Sequence, residues 1–216
     1  MGLVLSPQAE PAASIVIARD SPLAVHFAAA ELSRYLAIIT GGHFPVTERP
    51  EPGAPALRLG VCLPNAPRLP ANGSYGWAVR ADEVSISGAA PGAVLHAVYA
   101  FLENLGCVWL HHREGGEIVP RLPQVVLPAG EHTARPAFAH REFTNLYPLD
   151  REYTLMIDWL AKNRLNRFMV FANLAGGVET YRQLLEPEMA ARGMSATVGH
   201  HSFRYFLPPD EFFDQH

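Results

Sequence analysis

The stretch from Tyr75 to Leu110 constrains the fold more than any other part of this 216-residue chain. Large apolar residues alternate with small or polar ones over Tyr75–Val79 and again over Val84–Ile86. A period of two on both sides of a turn predicts an antiparallel hairpin with one buried face. Pro91-Gly92 then opens a helix with an apolar stripe, which Gly106 ends. The segment therefore predicts a hairpin leading into a helix that packs on a sheet.

The residues before this stretch predict a second helix and further strands. Asp20-Ser21-Pro22 is a typical helix start, and Gly41-Gly42 is a typical end. Between them the apolar residues follow a helical stripe. These residues are Ala28, Leu32, Tyr35, Leu36 and Ile39. Strands are predicted at Ser14–Ala18, Phe44–Val46 and Leu57–Val61. Together these elements predict a mixed sheet with two helices.

From Ala137 onward the pattern changes to alternating strands and helices. Strands are predicted at Phe138–Phe143, Arg167–Phe171 and Ser195–Gly199, with helices at Asp150–Lys162 and Thr180–Arg192. The strand starts are about 28 residues apart, a spacing typical of βα units in a parallel sheet. An eight-unit barrel needs roughly 250 residues, and this part has roughly 80.

The predicted class is therefore α/β with α+β. Residues 1–130 are predicted to form a small α+β accessory domain, and residues 137–216 the first βα units of an incomplete (β/α)8 barrel. The stretch Glu117–Pro136 carries four prolines and is predicted to be an edge segment and linker.

Composition gives no reason to expect nucleic acid or a membrane as a partner. The chain is 49% hydrophobic and 18% charged, with a formal net charge of -4. That balance is globular and offers no basic surface for phosphates. The stretch Met1–Ser6 lacks the basic and apolar regions of a signal peptide, which leaves the compartment open between cytoplasm and periplasm or exterior. We expect no cofactor.

The two cysteines, Cys62 and Cys107, match neither a zinc spacing nor a redox pair. They are predicted to be buried small hydrophobic residues. A disulfide between them would need an oxidising compartment and close Cβ atoms, which the sequence does not show.

Polar residues cluster behind the predicted parallel strands, where ligand-binding groups lie in barrels and open parallel sheets. They are Arg141-Glu142, Thr144-Asn145, Asn173 and His200-His201. Adjacent residues in an extended segment point to opposite sides, so one of His200 and His201 at most would face a given site. Substrate contact, a structural hydrogen bond and metal binding all remain open for this pair.

A glycosidase needs two carboxylates across the scissile bond, and only Glu142 falls at a predicted strand end. The other acidic residues of this part fall in helices or at helix starts, where solvent and the helix dipole explain them. The second histidine pair, His111-His112, lacks further ligands at zinc spacing. We therefore predict neither catalytic residues nor a metal site in the chain.

Several of these segments resemble parts of known glycoside hydrolases. Ala29–Leu36, with Thr40-Gly41, resembles the first helix of the small α+β domain that precedes the barrel in β-hexosaminidases and α-glucuronidases. Tyr99–Trp109 resembles the second helix and exit strand of the same domain. Trp159–Asn166 and Gly199–Phe203, with Leu207-Pro208, resemble a bacterial family of glycoside hydrolases of poorly assigned function, some of them similar to endo-β-N-acetylglucosaminidases.

The resemblance implies the amino-terminal part of a glycosidase acting on hexosamine- or uronate-containing glycans. It implies substrate-binding roles for Arg141, His200 and His201, with catalytic carboxylates on later barrel strands beyond residue 216. The chain alone is then expected to be inactive, and a carbohydrate and the missing barrel portion are its expected partners. The alternatives are a non-catalytic carbohydrate-binding or scaffold module and a metal-dependent enzyme using the histidine pairs.

Overall fold

We analysed a computed structural model of the chain. The structure describes residues 2–5, 12–70, 73–144, 152–171, 179 and 181–199. Two of the predicted substrate-binding residues, His200 and His201, lie outside the described residues, as do Asn145 and Asn173.

The main element of the fold is a six-stranded mixed sheet, called here the mixed sheet. Its strands are β2 (Ser14–Val16), β3 (Val46–Thr47), β4 (Ala56–Val61), β5 (Tyr75–Val79), β6 (Glu83–Gly88) and β10 (Gly130–Ala134). Their order is β10-β5-β6-β4-β2-β3. The predicted hairpin is β5–β6, in which Trp77 pairs with Ile86. Three neighbouring pairs, β6–β4, β4–β2 and β2–β3, are parallel.

Two helices pack on the mixed sheet and against each other, α1 (Leu23–Thr40) and α2 (Pro91–Asn104). Both have the predicted apolar stripe, because Leu32, Leu36, Val98 and Phe101 are completely buried. Gly41 ends α1 in the left-handed conformation, with φ of 78° and its N–H donating to Ala37 O.

By length and composition alone α1 could cross a membrane. The structure instead places its apolar residues in the core, and core helices commonly pass the same test.

Two short antiparallel pairs accompany the mixed sheet. Strand β1 (Leu3–Leu5) pairs with β9 (Val125–Leu127), and β7 (Val108–Trp109) pairs with β8 (Glu117–Ile118). The predicted linker therefore contains three strands, and its edge character is confirmed for β10, which pairs only with β5 among the described strands.

The second body of structure is a three-stranded parallel sheet, called here the parallel sheet. Its order is β11-β12-β13, with β11 at Glu142–Thr144, β12 at Arg167–Phe171 and β13 at Ser195–Gly199. The helices between these strands are α3 (Glu152–Lys162) and α4 (Glu186–Ala191), with a π-helical turn at Tyr181–Leu185 before α4. The chain is thus mixed α/β, with a mixed sheet followed by parallel βα units.

Two local predictions are wrong. The first parallel strand was predicted over Phe138–Phe143 but begins at Glu142, and Phe138 is 73% exposed. Cys62 was predicted to be buried and is exposed, whereas Cys107 is buried as predicted. Burial, followed by the charges of Glu117 and Glu103, raises the pKa of the Cys107 thiol to about 11, so this sulfur is an unreactive thiol at neutral pH.

Candidate functional site

The parallel sheet has one apolar and one polar face. Its register aligns Glu142 with Arg167 and Ser195, and Thr144 with Met169 and Thr197. Side chains aligned in register point to the same side of a sheet, so these six residues share one face, called here the polar face. A polar face on a parallel sheet is unusual, because both faces of such sheets are ordinarily covered.

The opposite face is packed in the core. The Phe143 and Phe168 rings stack with centroids 6.2 Å apart, and Tyr153 from α3 meets Phe168 edge-on at 6.1 Å. Phe168 and Val170 are buried. This packing fixes which side of each strand turns outward, and so it positions the polar face.

Glu142 begins β11 at the amino end of the parallel sheet, not at the carboxyl end as predicted, and its side chain links residues of the polar face. The Thr197 hydroxyl donates to Glu142 Oε2 at 2.5 Å, and Arg167 Nε lies 4.0 Å from the same oxygen. The Glu142 side chain is 23% exposed and that of Arg167 29%, so the group is partly shielded from water but reachable. Arg167 Nε is buried without a hydrogen-bond partner among the described residues. The three residues together can accept and donate hydrogen bonds to a hydroxylated ligand, but they supply only one carboxylate.

Arg141 stands at the amino end of β11 rather than at its carboxyl end. Its guanidinium donates to backbone oxygens, from Nε to Arg164 O at 2.6 Å and from Nη1 to Phe138 O at 2.7 Å. Burial lowers the pKa of Arg141, and no carboxylate among the described residues pairs with it. These contacts hold the entry to β11 in place. Substrate binding by Arg141 stays a prediction.

Asn166 is a positioning residue that the sequence reasoning did not single out. Its Oδ1 accepts the Arg141 N–H at 2.9 Å, and its Nδ2 donates to Ala139 O at 2.8 Å. Its backbone oxygen accepts the Ser195 N–H at 3.0 Å. One asparagine thus joins the amino ends of β11, β12 and β13. Asn166 belongs to Trp159–Asn166, one of the segments that carry the resemblance. Nothing in the local sequence indicates its long-range hydrogen bonds.

A largely buried ion network joins the parallel βα units to α1 and β8, and the sequence analysis did not predict it. Lys162 Nζ, in a side chain that is 3% exposed, binds Asp158 and Glu117. Arg192 Nη2 donates to Asp158 Oδ1 at 2.8 Å, and the Tyr35 hydroxyl donates to Glu117 Oε2 at 2.8 Å. The spacing of Asp158 and Lys162 by one helical turn was the only local signal for it.

The network keeps its groups ionised in spite of burial. Burial acts most strongly on Asp158 and would raise its pKa, but Lys162 and Arg192 outweigh it, and the pKa lies below 3.8. Burial would likewise lower the pKa of Lys162, but Asp158 and Glu117 raise it above 10.5. Lys162 also lies 5.4 Å from the centroid of the Trp109 ring. The arrangement is that of a structural junction, because every charge has a fixed partner.

The predicted histidine pair His111-His112 lies beside this network at a cavity of about 400 Å³. His112 Nε2 is 3.0 Å from Glu152 Oε1, and His111 Nδ1 accepts the Arg113 N–H at 3.2 Å. No group of three possible metal ligands occurs among the residues that the structure describes. The observed contacts of both histidines are therefore with protein groups.

Comparisons with known proteins show which folds the chain is similar to. No protein-family model matches the sequence, and no curated protein matches it. Among solved structures, a family GH115 4-O-methyl-α-glucuronidase with specificity for decorated arabinogalactans superimposes with a TM-score of 0.70 at 10% identity, covering 91% of this chain and 29% of the glucuronidase.

Two further structures show the same architecture. A mutant β-hexosaminidase of Streptomyces plicatus in complex with its product GlcNAc gives a TM-score of 0.60 at 15% identity, covering 91% of this chain and 42% of that one. A GH138 enzyme targeting pectin rhamnogalacturonan II gives 0.59 at 13% identity, covering 87% of this chain and 24% of the enzyme.

The fold is thus similar to that of part of several glycoside hydrolases, as the resemblance implied. This chain spans less than half the length of each. At 10 to 15% identity the likeness shows the fold alone.

Proposed function

We propose that this chain is the amino-terminal part of a glycoside hydrolase acting on hexosamine- or uronate-containing glycans. One observation carries the proposal, namely that 91% of the chain, mixed sheet and parallel βα units together, superimposes on the glucuronidase. The glucuronidase and the hexosaminidase are named for the removal of glucuronate and N-acetylhexosamine residues, and these supply the two proposed substrate classes.

The parallel sheet is proposed to be the start of a (β/α)8 barrel. The interior of a barrel is lined by one face of every strand, and the polar face is the candidate for that role because the opposite face is packed against α3 and the core. Glu142, Arg167 and Thr197 then line the interior. The catalytic carboxylates are proposed to lie on later strands.

The carboxyl ends of β11, β12 and β13 are the proposed sugar-contacting edge, since ligands bind there in barrels. His200 and His201 follow β13 directly in sequence, and we keep one of them as a proposed contact to a sugar hydroxyl. The observed contacts of Arg141, at the opposite end of β11, are structural.

Hydrolysis of chromogenic glycosides tests the proposal. The 216-residue chain is compared with one extended by roughly 200 natural downstream residues, enough to complete a barrel. The substrates are 4-nitrophenyl N-acetyl-β-glucosaminide and 4-nitrophenyl glucuronide. We expect release of nitrophenol by the extended chain only. Equal, robust activity in the 216-residue chain would overturn the proposal, and glycan binding by an extended chain without hydrolysis would favour a carbohydrate-binding module.

A further inference from the structure

A second cavity, of about 380 Å³, lies between the start of α2 and the amino ends of the parallel sheet. Its volume is in the range of small-molecule sites. Arg141 and Asn166 line it, so it is at the opposite end of the parallel sheet from the proposed sugar-contacting edge. The mixed sheet side contributes Gly92 and His96 of α2, and the segment before β11 contributes Arg135.

The charge of this cavity is positive and uncompensated. Among the residues that the structure describes, its lining includes two arginines and no carboxylate. Arg135 is exposed and makes no hydrogen bond or ion pair with any described residue. Within the described part of the chain Arg141 donates to backbone oxygens and pairs with no carboxylate, so its charge is also uncompensated there. A low-dielectric wall carrying two such charges attracts an anion.

The amino terminus of α2 adds to this field. Ala90, at the N-cap, cannot cap the helix with its side chain, and the first turn contains no acidic residue. Ala90, Gly92 and Ala93 all line the cavity. The positive end of a 14-residue helix dipole thus faces the same space as the two arginines.

An independent observation comes from His96. Its side chain lines the cavity and is 4% exposed, yet Nδ1 has no hydrogen-bond partner among the described residues. Buried polar atoms in native proteins are nearly always paired, with protein, water or a bound ligand. The unpaired nitrogen therefore indicates that a polar group occupies part of this space.

We propose that this cavity binds an oxyanion, either a phosphate group or the carboxylate of an acidic sugar, through the Arg135 and Arg141 side chains, with the positive end of the α2 dipole adding to their field. Both ligands present the same chemistry, oxygens that accept charge-assisted hydrogen bonds. The site is separate from the proposed sugar-contacting edge and does not depend on the chain being part of a glycosidase.

The surroundings of His96 predict how the anion is detected. Burial, followed by the charges of Arg141 and Arg164, lowers the pKa of His96 to about 3, while a hydrogen bond to the Leu165 backbone opposes the shift. The edge of the Tyr75 ring is the other neighbour, with centroids 6.2 Å apart. At neutral pH the His96 ring is therefore neutral and Nδ1 is an acceptor, to which a hydroxyl of the phosphate or of the acidic sugar can donate, while the oxyanion offsets the charge of Arg141.

The test is titration of the 216-residue chain with inorganic phosphate, D-glucuronate and D-glucose, followed by the NMR signals of the His96 ring. We expect saturable shifts with the two anions at neutral pH, with no change for glucose. Tighter binding of phosphate would identify a phosphate group as the ligand, and tighter binding of glucuronate would identify the carboxylate of an acidic sugar. No saturable shift with either anion, or shifts with glucose as large as with glucuronate, would overturn the proposal.

Two variants complete the test. Arg135→Gln removes an exposed charge that holds no described contact, so folding is preserved, and it should raise the anion Kd by roughly tenfold. Arg68→Gln is the matched control, because Arg68 is also exposed and lies outside the cavity lining. Its Kd should equal that of the parent chain. Equal Kd values for the two variants would contradict a site at Arg135.

Discussion

Lys162 shows how a single residue holds the two parts of the chain together. It lies on α3, at 3% exposure, between Asp158 of its own helix and Glu117 of β8. Replacing Lys162 with Met keeps the aliphatic stem but removes the described cation of Glu117 and leaves Asp158 with Arg192 alone. Breaking a buried pair costs about 3 to 5 kcal/mol, and since Asp158 and Glu117 are partly exposed we expect about 2 to 3 kcal/mol. Urea unfolding of the Lys162→Met variant measures this loss.

An exposed ion pair provides the matched control. The Arg19 and Glu48 side chains are 85% and 53% exposed and form a pair at 2.7 Å. Arg19→Met should change the free energy of unfolding by less than about 1 kcal/mol. A Lys162→Met loss no larger than that of the control would show that the network contributes no stability.

The same network predicts how stability depends on pH. The pKa of Asp158 is lower in the folded chain than its ordinary 3.8, so its contribution is present above that value and is lost as the pH falls through the folded pKa. Acid should therefore weaken the parent chain from about pH 4 downward. In Lys162→Met the pKa of Asp158 moves up toward the unfolded value, and the loss in this window should be smaller. Unfolding curves at intervals between pH 2.5 and pH 6 test this, and parallel acid limbs in the two proteins would contradict it.

At the scale of elements, the start of α2 meets the end of α4 through two glycines. Gly193 has φ of 64°, and a Cβ there would lie 2.7 Å from Gly92 Cα and 2.9 Å from Gly92 N. Gly193→Ala therefore combines a left-handed alanine, which costs about 1 to 2 kcal/mol, with a backbone clash that adds about 1 to 3 kcal/mol. Thermal and urea unfolding measure the total.

Gly53 separates the two effects. It also has positive φ, 81°, but nothing lies within 4 Å of its Cβ position. Gly53→Ala should cost only the conformational part. Equal losses for the two variants would mean that the helices separate freely and that their contact contributes nothing.

An element could be predicted when its own residues carry a periodic pattern, but not when its conformation depends on pairing with a distant part of the chain. The hairpin β5–β6 and helices α1 and α2 have complete periodic patterns, and the structure contains all of them, but the prediction of one buried face is wrong because both faces of the hairpin are buried. Strand β10 was missed as a strand because Gly130–Ala134 is mostly exposed and has no apolar alternation, so only its pairing with β5 makes it extended.

The start of β11 was misplaced for a related reason. The backbone oxygens of Phe138 and Ala139 bond to the side chains of Arg141 and Asn166 instead of to a neighbouring strand. The contacts within the candidate site could not be predicted from the local sequence either. Glu142 was predicted at the carboxyl end of its strand and instead begins β11, and its contacts with Arg167 and Thr197 come from residues 25 and 55 positions away and leave no local pattern.

At the scale of the whole molecule, the mixed and parallel sheets share one core. The buried apolar cluster runs without a break from Leu36 and Val98 to Leu160 and Phe168. Polar contacts join the same parts, since Arg164 forms a two-pronged ion pair with Glu103 of α2. A continuous core and a buried junction predict that the two sheets unfold together.

Native-state hydrogen exchange tests this on the unaltered chain. Strands β6 and β12 are each paired on both sides, so their slowest amides report the opening of the mixed and the parallel sheet. We expect the same opening free energy in both, equal to that of global unfolding, because neither sheet can open without exposing the core that it shares with the other. Gly193→Ala should lower both values equally. The result that contradicts this is an opening free energy for the β12 amides more than about 2 kcal/mol below that of the β6 amides. The parallel sheet would then unfold as a separate unit, and the shared core would not be what stabilises it.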